Sequence, residues 1–178
     1  MGFDSETAFE SALIKCLVEE KGWKDGVIKY PTEKDLLDNW AKIIFENNRD
    51  IDRLGDFPMT DGEMAQIMGQ IAKLRTPLNL NGFINGGTVQ IIRDNENDTH
   101  NFKKTISLKI FDRNEIAAGR TRYQIAQQPK FKAKNSIYPN RRGDFCLLIN
   151  GMPVIHVELK KSNVPVSEAQ YQIRKYLY

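Results

Sequence analysis

The sequence predicts an α/β domain in which a central mixed β-sheet is flanked by helices and the N-terminal part is helical. Residues 4–75 repeat apolar side chains at helical spacing, whereas residues 78–130 contain short strand-like runs between turn residues. Residues 140–160 have the pattern of a β-hairpin. The 178 residues are enough for one domain with one sizeable core.

The composition excludes several classes of protein. The net charge is only +3, so any contact with nucleic acid must be a local basic patch rather than a cationic tail. No apolar run approaches the roughly 18–20 residues of a membrane span, and no signal peptide is visible. Cys16 and Cys146 cannot form a zinc cluster, and their pattern favours cytosolic thiols.

Helix caps and apolar spacing predict three helices in the N-terminal part. They are a first helix capped by Asp4 or Ser5 and ended by Gly22, a second over residues 33–48, and a third that begins after Thr60 or Asp61 and stops before Pro77. Predicted strands follow at residues 88–93, 105–111 and 122–128, with a hairpin loop at 94–100 and a mobile loop at 130–140. A last helix begins at Ser167, which forms a capping box with Gln170.

The predicted hairpin carries charged residues in an order that suggests chemistry. Asp144 opens a strand over residues 145–149, Asn150-Gly151 forms a turn, and a second strand over residues 153–160 ends in Glu158-Leu159-Lys160. Alternation places Val154, His156, Glu158 and Lys160 on one face and Ile155, Val157 and Leu159 on the other, toward the core.

The register of this hairpin decides whether the two acids meet. A plain two-residue turn would pair Asp144 with Val157 and place the aspartate on the wrong face. We therefore predict a bulge at Gly151 or a kink near Gly143, which would return Asp144 to the face of Glu158.

Two carboxylates followed by a lysine are the residues that hydrolysis of a phosphodiester needs. Asp144 and Glu158 would bind Mg²⁺, which prefers oxygen ligands, and the backbone carbonyl of Leu159 is an additional candidate ligand. Lys160 would steady the charge that develops at the phosphate. The order matches the PD-(D/E)xK nuclease site, although the same pattern also fits a surface hairpin with an ordinary Glu/Lys face.

The last forty residues also resemble a known family, the N-terminal nuclease domain of the restriction (R) subunit of type I restriction–modification enzymes. The resembling motifs are Arg142-Gly143-Asp144-Phe145, Ile149-Asn150-Gly151-Met152-Pro153, Val157-Glu158-Leu159-Lys160-Lys161, and a QxxxY motif at Gln172 and Tyr176. Weaker similarity covers Tyr123-Gln124-Ile125-Ala126-Gln127-Gln128 and Ser5-Glu6-Thr7-Ala8-Phe9-Glu10.

The resemblance implies a restriction-endonuclease-like core and the activity of a type I site-specific deoxyribonuclease. It implies that residues 1–178 form one endonuclease domain, the N-terminal fragment of a longer polypeptide with ATP-driven translocase domains. ATP would be needed only there, since this chain has no GxxxxGK[ST] motif. The implied partners are double-stranded DNA and the methylation and specificity subunits, in the cytoplasm of a bacterium or archaeon. Cleavage would depend on Mg²⁺, with Mn²⁺ as a substitute, and would have no sequence preference.

The same family pattern makes Asp144, Glu158 and Lys160 the expected catalytic residues, with Gln172 and Tyr176 in support. Further candidates have simpler alternatives. Glu10 would be an additional metal ligand or a solvated acid at a helix edge, and Glu6 is explained by the helix dipole. His156 would contact DNA or be a polar neighbour of the site. The expected DNA contacts are Arg141, Arg142, Lys161 and Lys134.

Two rival functions stay open at this point. One is a stand-alone PD-(D/E)xK nuclease that acts on another nucleic acid. The other is a non-catalytic docking module that keeps the fold as a scaffold, and metal binding would separate it from both enzymes.

Overall fold

A computed structural model describes residues 5–74, 76–111, 121–132, 141–160, 165, 167–168 and 170–171 of the chain. The helices are α1 Glu6–Glu20, α2 Glu33–Asn47, α3 Asp61–Ile71 and α4 Pro77–Gly86. The strands are β1 Val27–Lys29, β2 Thr88–Ile92, β3 Thr105–Lys109, β4 Tyr123–Gln127, β5 Lys130–Phe131, β6 Arg141–Arg142, β7 Phe145–Ile149 and β8 Met152–Val157. None of the described helices combines the length and apolar character that crossing a membrane requires.

The chain divides into two compact units. The first joins Met1–Leu36 to Arg122–Tyr178, and the second is Leu37–Thr121. The first contains a four-stranded sheet in the order β1-β4-β7-β8. Strand β1 runs parallel to β4 and the other neighbours are antiparallel, so the sheet is mixed, as predicted.

Helices cover both faces of this sheet. On one face, Ile14 of α1 packs with Ile125, Phe145 and Leu147 of the strands, and Leu159 joins them. On the other face, Leu36 in the first turn of α2 packs with Ala126, Cys146 and Leu148. Because neighbouring residues of β7 point to opposite faces, its continuous apolar run serves both layers. The α/β architecture, a mixed sheet flanked by helices, is therefore confirmed.

The caps of the first helices agree with the sequence prediction. Ser5 caps α1, and its side chain accepts a hydrogen bond from the Ala8 N–H at 3.0 Å. Gly22 follows the helix with φ 81°, a left-handed conformation that glycine adopts at little cost. Thr60 and Glu63 form a complete capping box at the start of α3.

The sequence prediction missed several elements. Helix α3 ends before Pro77, as predicted, but Pro77 begins helix α4, which was not predicted and whose N-cap is Thr76. The three-residue strand β1 was missed, since it is too short to show a period. The predicted loop over residues 130–140 begins with strand β5, which pairs with β6, whereas residues 133–140 lie outside the described part of the chain. Helical backbone at residues 167–168 and 170–171 agrees with the predicted last helix.

The second unit contains a buried ion-pair network that the sequence did not reveal. The guanidinium of Arg93 donates to Glu63 at 2.7 Å and to Asp98 at 2.9 Å, and all three side chains are buried. It also donates to the carbonyls of Phe57 and Pro58. A buried guanidinium is tolerated because its donors are satisfied in this way. The network ties α3 to the hairpin of β2 and β3.

Candidate active site

The hairpin of β7 and β8 has the shifted register that the proposed chemistry requires. Asn150 and Gly151 form a two-residue turn with φ 49° and 84°, and the pairing of Ile149 with Met152 begins directly beside it. The register then shifts between Leu147 and Leu148, where Val154 is the additional residue on β8. The predicted bulge exists, but it lies at Val154 rather than at Gly151.

This bulge places the two acids opposite each other. Beyond it, Phe145 pairs with Val157, so continuing the register by one residue sets Asp144 across from Glu158. The Leu159 N–H donates to Oδ2 of Asp144 at 2.5 Å, which fixes the aspartate against the end of β8. The Asp144 carbonyl in turn accepts from the Gln128 N–H at 2.7 Å. Asp144 is thus held by the chain segments on both sides of it.

Glu158 is a buried carboxylate that is only partly satisfied. Its side chain is 1% exposed, and Nζ of Lys160 lies 3.5 Å from Oε1. No donor among the described residues hydrogen-bonds to Oε2, although Nε2 of His156 is 3.7 Å away. A buried carboxylate oxygen without a donor is costly unless a cation or another donor occupies the space beside it.

The pKa values of Asp144 and Glu158 also indicate that a cation would stabilise this pair. Burial raises the pKa of Glu158, and the charge of Asp144 raises it further, while Lys160 opposes the shift. Burial also raises the pKa of Asp144; the Leu159 hydrogen bond opposes this, and the Glu10 charge adds to it. The charge of Asp144 thus raises the pKa of Glu158, and a divalent cation beside both carboxylates would offset this repulsion.

Helix α1 contributes two further carboxylates, Glu10 and Glu6, to the surroundings of the site. Glu10 is 3% exposed, and its carboxylate accepts from Nε2 of Gln127 at 2.7 Å and from Nε2 of Gln128 at 2.9 Å. It is therefore not the solvated helix-edge residue of the simpler alternative. The charge of Glu6 raises the pKa of both Asp144 and Glu158, so this residue also acts on the site.

His156 and Gly143 pack against each other at the edge of the site. A Cβ at position 143 would lie 2.7 Å from Nε2 of His156, so the imidazole occupies space that any larger residue would fill. Burial lowers the pKa of His156, and Asp144 opposes this shift. Cys146 pairs with His156, and burial raises the pKa of its thiol to about 11, which makes it a core residue rather than a ligand.

The residues present fit a hydrated magnesium ion. Within the described ranges, no group of three His, Cys, Asp or Glu side chains forms a ready ligand cluster. Mg²⁺ does not need one, because it commonly uses one or two protein carboxylates and keeps several waters. Asp144 and the unsatisfied Oε2 of Glu158 are the atoms that fit this pattern, and the Leu159 carbonyl stays a predicted ligand.

The remaining predicted residues are placed only in part. Lys160 lies beside Glu158, and Arg142 is exposed at the end of β6, next to the backbone of Arg141. The predicted positions Lys134, Lys161, Gln172 and Tyr176 lie outside the described residues. Ile155, predicted to face the core, is 51% exposed because β8 is the edge strand of the sheet. Gln127 and Gln128 were not predicted as site residues, although the family resemblance included them in the strand that precedes the hairpin.

The raised carboxyl pKa values lead to a prediction about pH and stability without metal. Because the folded site binds protons more tightly than the unfolded chain, the stability contributed by Asp144 and Glu158 is greatest below their unfolded pKa values of about 4 and is lost as pH rises through their folded pKa values. Glu158→Gln removes one of the two ionising carboxyls and therefore part of this loss of stability. We expect its unfolding midpoint in EDTA to exceed the native midpoint at neutral pH, by roughly 2–4 °C per kcal/mol of relieved repulsion.

Thermal unfolding monitored between pH 4 and pH 8 measures this difference. The matched control is Glu19→Gln, which neutralises an exposed glutamate at the far end of α1 and should follow the native profile. A Glu158→Gln profile parallel to the native one would show that the two carboxylates do not repel each other in the folded chain.

Known proteins share sequence similarity with this chain. The sequence model of the family described as the type I restriction enzyme R protein N terminus matches residues 4–177. Among curated proteins, the type I restriction enzyme SsaAORF53P endonuclease subunit of Staphylococcus saprophyticus is 28% identical over 180 residues. The SauCOLORF180P endonuclease subunit of Staphylococcus aureus strain COL is 28% identical over 178 residues. Each alignment covers 99% of this chain but 17% of the relative. The chain belongs to the family of type I restriction enzyme R protein N-terminal regions.

Proposed function

We propose that this chain is the nuclease domain of a type I restriction–modification enzyme and that it hydrolyses DNA phosphodiester bonds with Mg²⁺ as cofactor. The observation that carries the proposal is the pair of half-buried Asp144 and buried Glu158, with the Lys160 ammonium beside Glu158 and no described donor to Glu158 Oε2. Family membership supports the restriction system, and the endonuclease names of the relatives support the reaction.

Each residue of the site has a distinct role in this proposal. Asp144 and Glu158 hold the divalent cation, which when bound supplies Lewis acidity and lowers the pKa of water. The backbone N–H of Leu159 keeps the Asp144 carboxylate turned toward Glu158. Glu10 adds negative charge next to Asp144 and strengthens cation binding, either directly or through water.

Lys160 supplies a positive charge that can stabilise negative charge on the phosphate. Its side chain is 19% exposed and its Nζ lies 3.5 Å from Oε1 of Glu158, so the ammonium is partly desolvated beside the proposed cation site. A partly desolvated ammonium stabilises charge that develops on a phosphate better than an exposed one does. We therefore assign Lys160 to stabilisation of the reacting phosphate.

A small basic and aromatic surface beside the site is suited to the DNA backbone. Tyr30 is half exposed, with the Arg142 guanidinium 5.4 Å and the Lys130 ammonium 6.0 Å from the centre of its ring. Its N–H donates to the Gln127 carbonyl, which places it at the end of the sheet where Asp144 also lies. Cations held over an aromatic ring are arranged before DNA arrives.

The parent complex follows from the same proposal. The chain spans 17% of the length of the curated relatives it matches, so translocation, ATP binding and the methylation and specificity subunits would belong to the larger assembly. Cleavage would then follow ATP-driven movement along DNA and would be independent of local sequence. The bacterial relatives are consistent with a cytoplasmic setting of that assembly.

Metal binding and cleavage test the catalytic assignments together. We expect calorimetry to show Mn²⁺ or Mg²⁺ binding by the native chain, and loss of binding in Asp144→Ala and Glu158→Ala. Lys160→Ala should keep the cation, because lysine is not a ligand, but should lose at least ~10²-fold in DNA cleavage within the assembled complex. Glu19→Gln is the control for a surface carboxylate. No cation binding by the native chain, with or without DNA, would favour the docking module instead.

DNA affinity tests the surface around Tyr30 independently of cleavage. We expect Arg142→Ala and Lys130→Ala each to weaken duplex binding and to reduce the slope of log affinity against log salt by about 1. Tyr30→Leu should weaken binding without changing the net charge, whereas Tyr30→Phe should keep it. Fluorescence anisotropy in EDTA measures binding alone.

The matched control for charge is Lys24→Ala, since Lys24 is exposed and precedes β1 whereas Tyr30 follows it. If Lys24→Ala weakens binding as much as Arg142→Ala does, bulk charge rather than this surface accounts for DNA affinity.

A further inference from the structure

Gln128 combines four structural features next to the proposed site. It directly follows β4 and has φ 52°, a left-handed conformation that is costly for a residue with a side chain. Its backbone N–H donates to the Asp144 carbonyl at 2.7 Å. Its side chain reaches Glu10, and its side-chain carbonyl oxygen is buried. The left-handed backbone allows the main chain to hold Asp144 while the side chain holds Glu10.

The orientation of the Gln128 amide follows from its contacts. Nε2 lies 3.2 Å from Oε1 and 2.9 Å from Oε2 of Glu10, and a carboxylate can only accept hydrogen bonds from it. The amide nitrogen must therefore face Glu10, and Oε1 must turn away from it. No donor among the described residues hydrogen-bonds to this oxygen. The amide thus presents a buried acceptor that a water molecule would satisfy.

Gln128 is also the residue that connects Glu10 to the catalytic pair. Glu10 acts on the Asp144 carboxyl through its charge, and Gln128 bonds to both residues. Gln127 supplies a second amide donor to Glu10, at 2.7 Å. The hydrogen-bond donors to Glu10 among the described residues are amides rather than a lysine or an arginine, so they leave its negative charge available to a cation.

We infer that Gln128 is a positioning residue of the proposed cation site. It holds the Glu10 carboxylate and the Asp144 backbone, and its Oε1 would serve as an acceptor for a water molecule of a hydrated divalent cation. The inference rests on the proposed function, because it assigns a role within the same site. Replacing a residue that orients metal ligands through hydrogen bonds commonly lowers metal affinity by about 10–100-fold.

The left-handed backbone makes a sharp test possible. Glycine adopts φ 52° readily, so Gln128→Gly removes the side chain while it relieves the backbone and keeps the N–H that binds Asp144. Lys103→Gly is the matched control, since Lys103 has φ 61° and belongs to the second unit of the chain. Gln128→Met keeps the volume of the side chain but removes both polar atoms.

Mn²⁺ affinity by calorimetry and thermal unfolding in EDTA are measured for each variant. We expect Gln128→Gly to shift the thermal unfolding midpoint by no more than Lys103→Gly does. Its affinity for Mn²⁺ should nevertheless be about tenfold weaker than that of the native chain. Gln128→Met should weaken binding similarly, and Lys103→Gly should bind as the native chain does. In a Glu10→Ala background, Gln128→Met should cost less than it does alone, because part of its effect acts through Glu10.

The outcomes separate this inference from the proposed function. Native affinity in both Gln128 variants, beside loss of Mn²⁺ in Glu158→Ala, overturns the role of Gln128 and leaves the nuclease proposal standing. Weak binding that only follows a fall in unfolding temperature also overturns it, since this would be the result of a structural role. A native chain that binds no cation overturns both.

Discussion

The structure depends on a pair of like charges that strand pairing holds together. Burial raises the pKa of both Asp144 and Glu158, and the charge of Asp144 raises that of Glu158 further, so the two acids would separate in a flexible chain. The backbone prevents this separation, since one acid opens β7 and the other follows β8 in the same antiparallel ladder. The Leu159 N–H then fixes the aspartate. The fold therefore stores electrostatic free energy that a bound cation would release.

The rest of the first unit supports this pair from both sides. Apolar residues of β7 and β4 pack under α1 on one face and under the first turn of α2 on the other, so β7 cannot slide without losing two cores. Helix α1 carries Ile14 into the core and Glu10, one turn earlier, into the site. The same helix thus couples packing to the charge around the acids.

The sequence predicted the parts that depend on local pattern. Helix caps at Ser5 and Thr60 were correct because one side chain determines each of them. The need for a shifted register at Asp144 was also correct, but its position at Val154 was not, since a bulge depends on packing across the whole sheet. Strand β1 and the Arg93 network depend on contacts between distant residues, which no local pattern records.

The site shows the same division between local and distant signals. The order of Asp144, Glu158 and Lys160 pointed to the chemistry because the spacing of a hairpin is short. The burial of Glu10 depends on residues 117 and 118 positions away, so the sequence left its role open between a ligand and a surface acid. Gln128 carries no chemical signature of its own, and its importance depends on a backbone angle and two distant partners.

Crystallography can show directly whether Asp144 and Glu158 together bind a divalent cation. A crystal of the chain soaked in Mn²⁺ and measured at a wavelength with manganese anomalous signal would show where the cation binds. We expect an anomalous peak within coordinating distance of Asp144 and of Oε2 of Glu158, on the side where no described residue donates to that oxygen. Manganese bound only elsewhere, with Glu158 Oε2 unliganded, would show that the two acids are not the cation site.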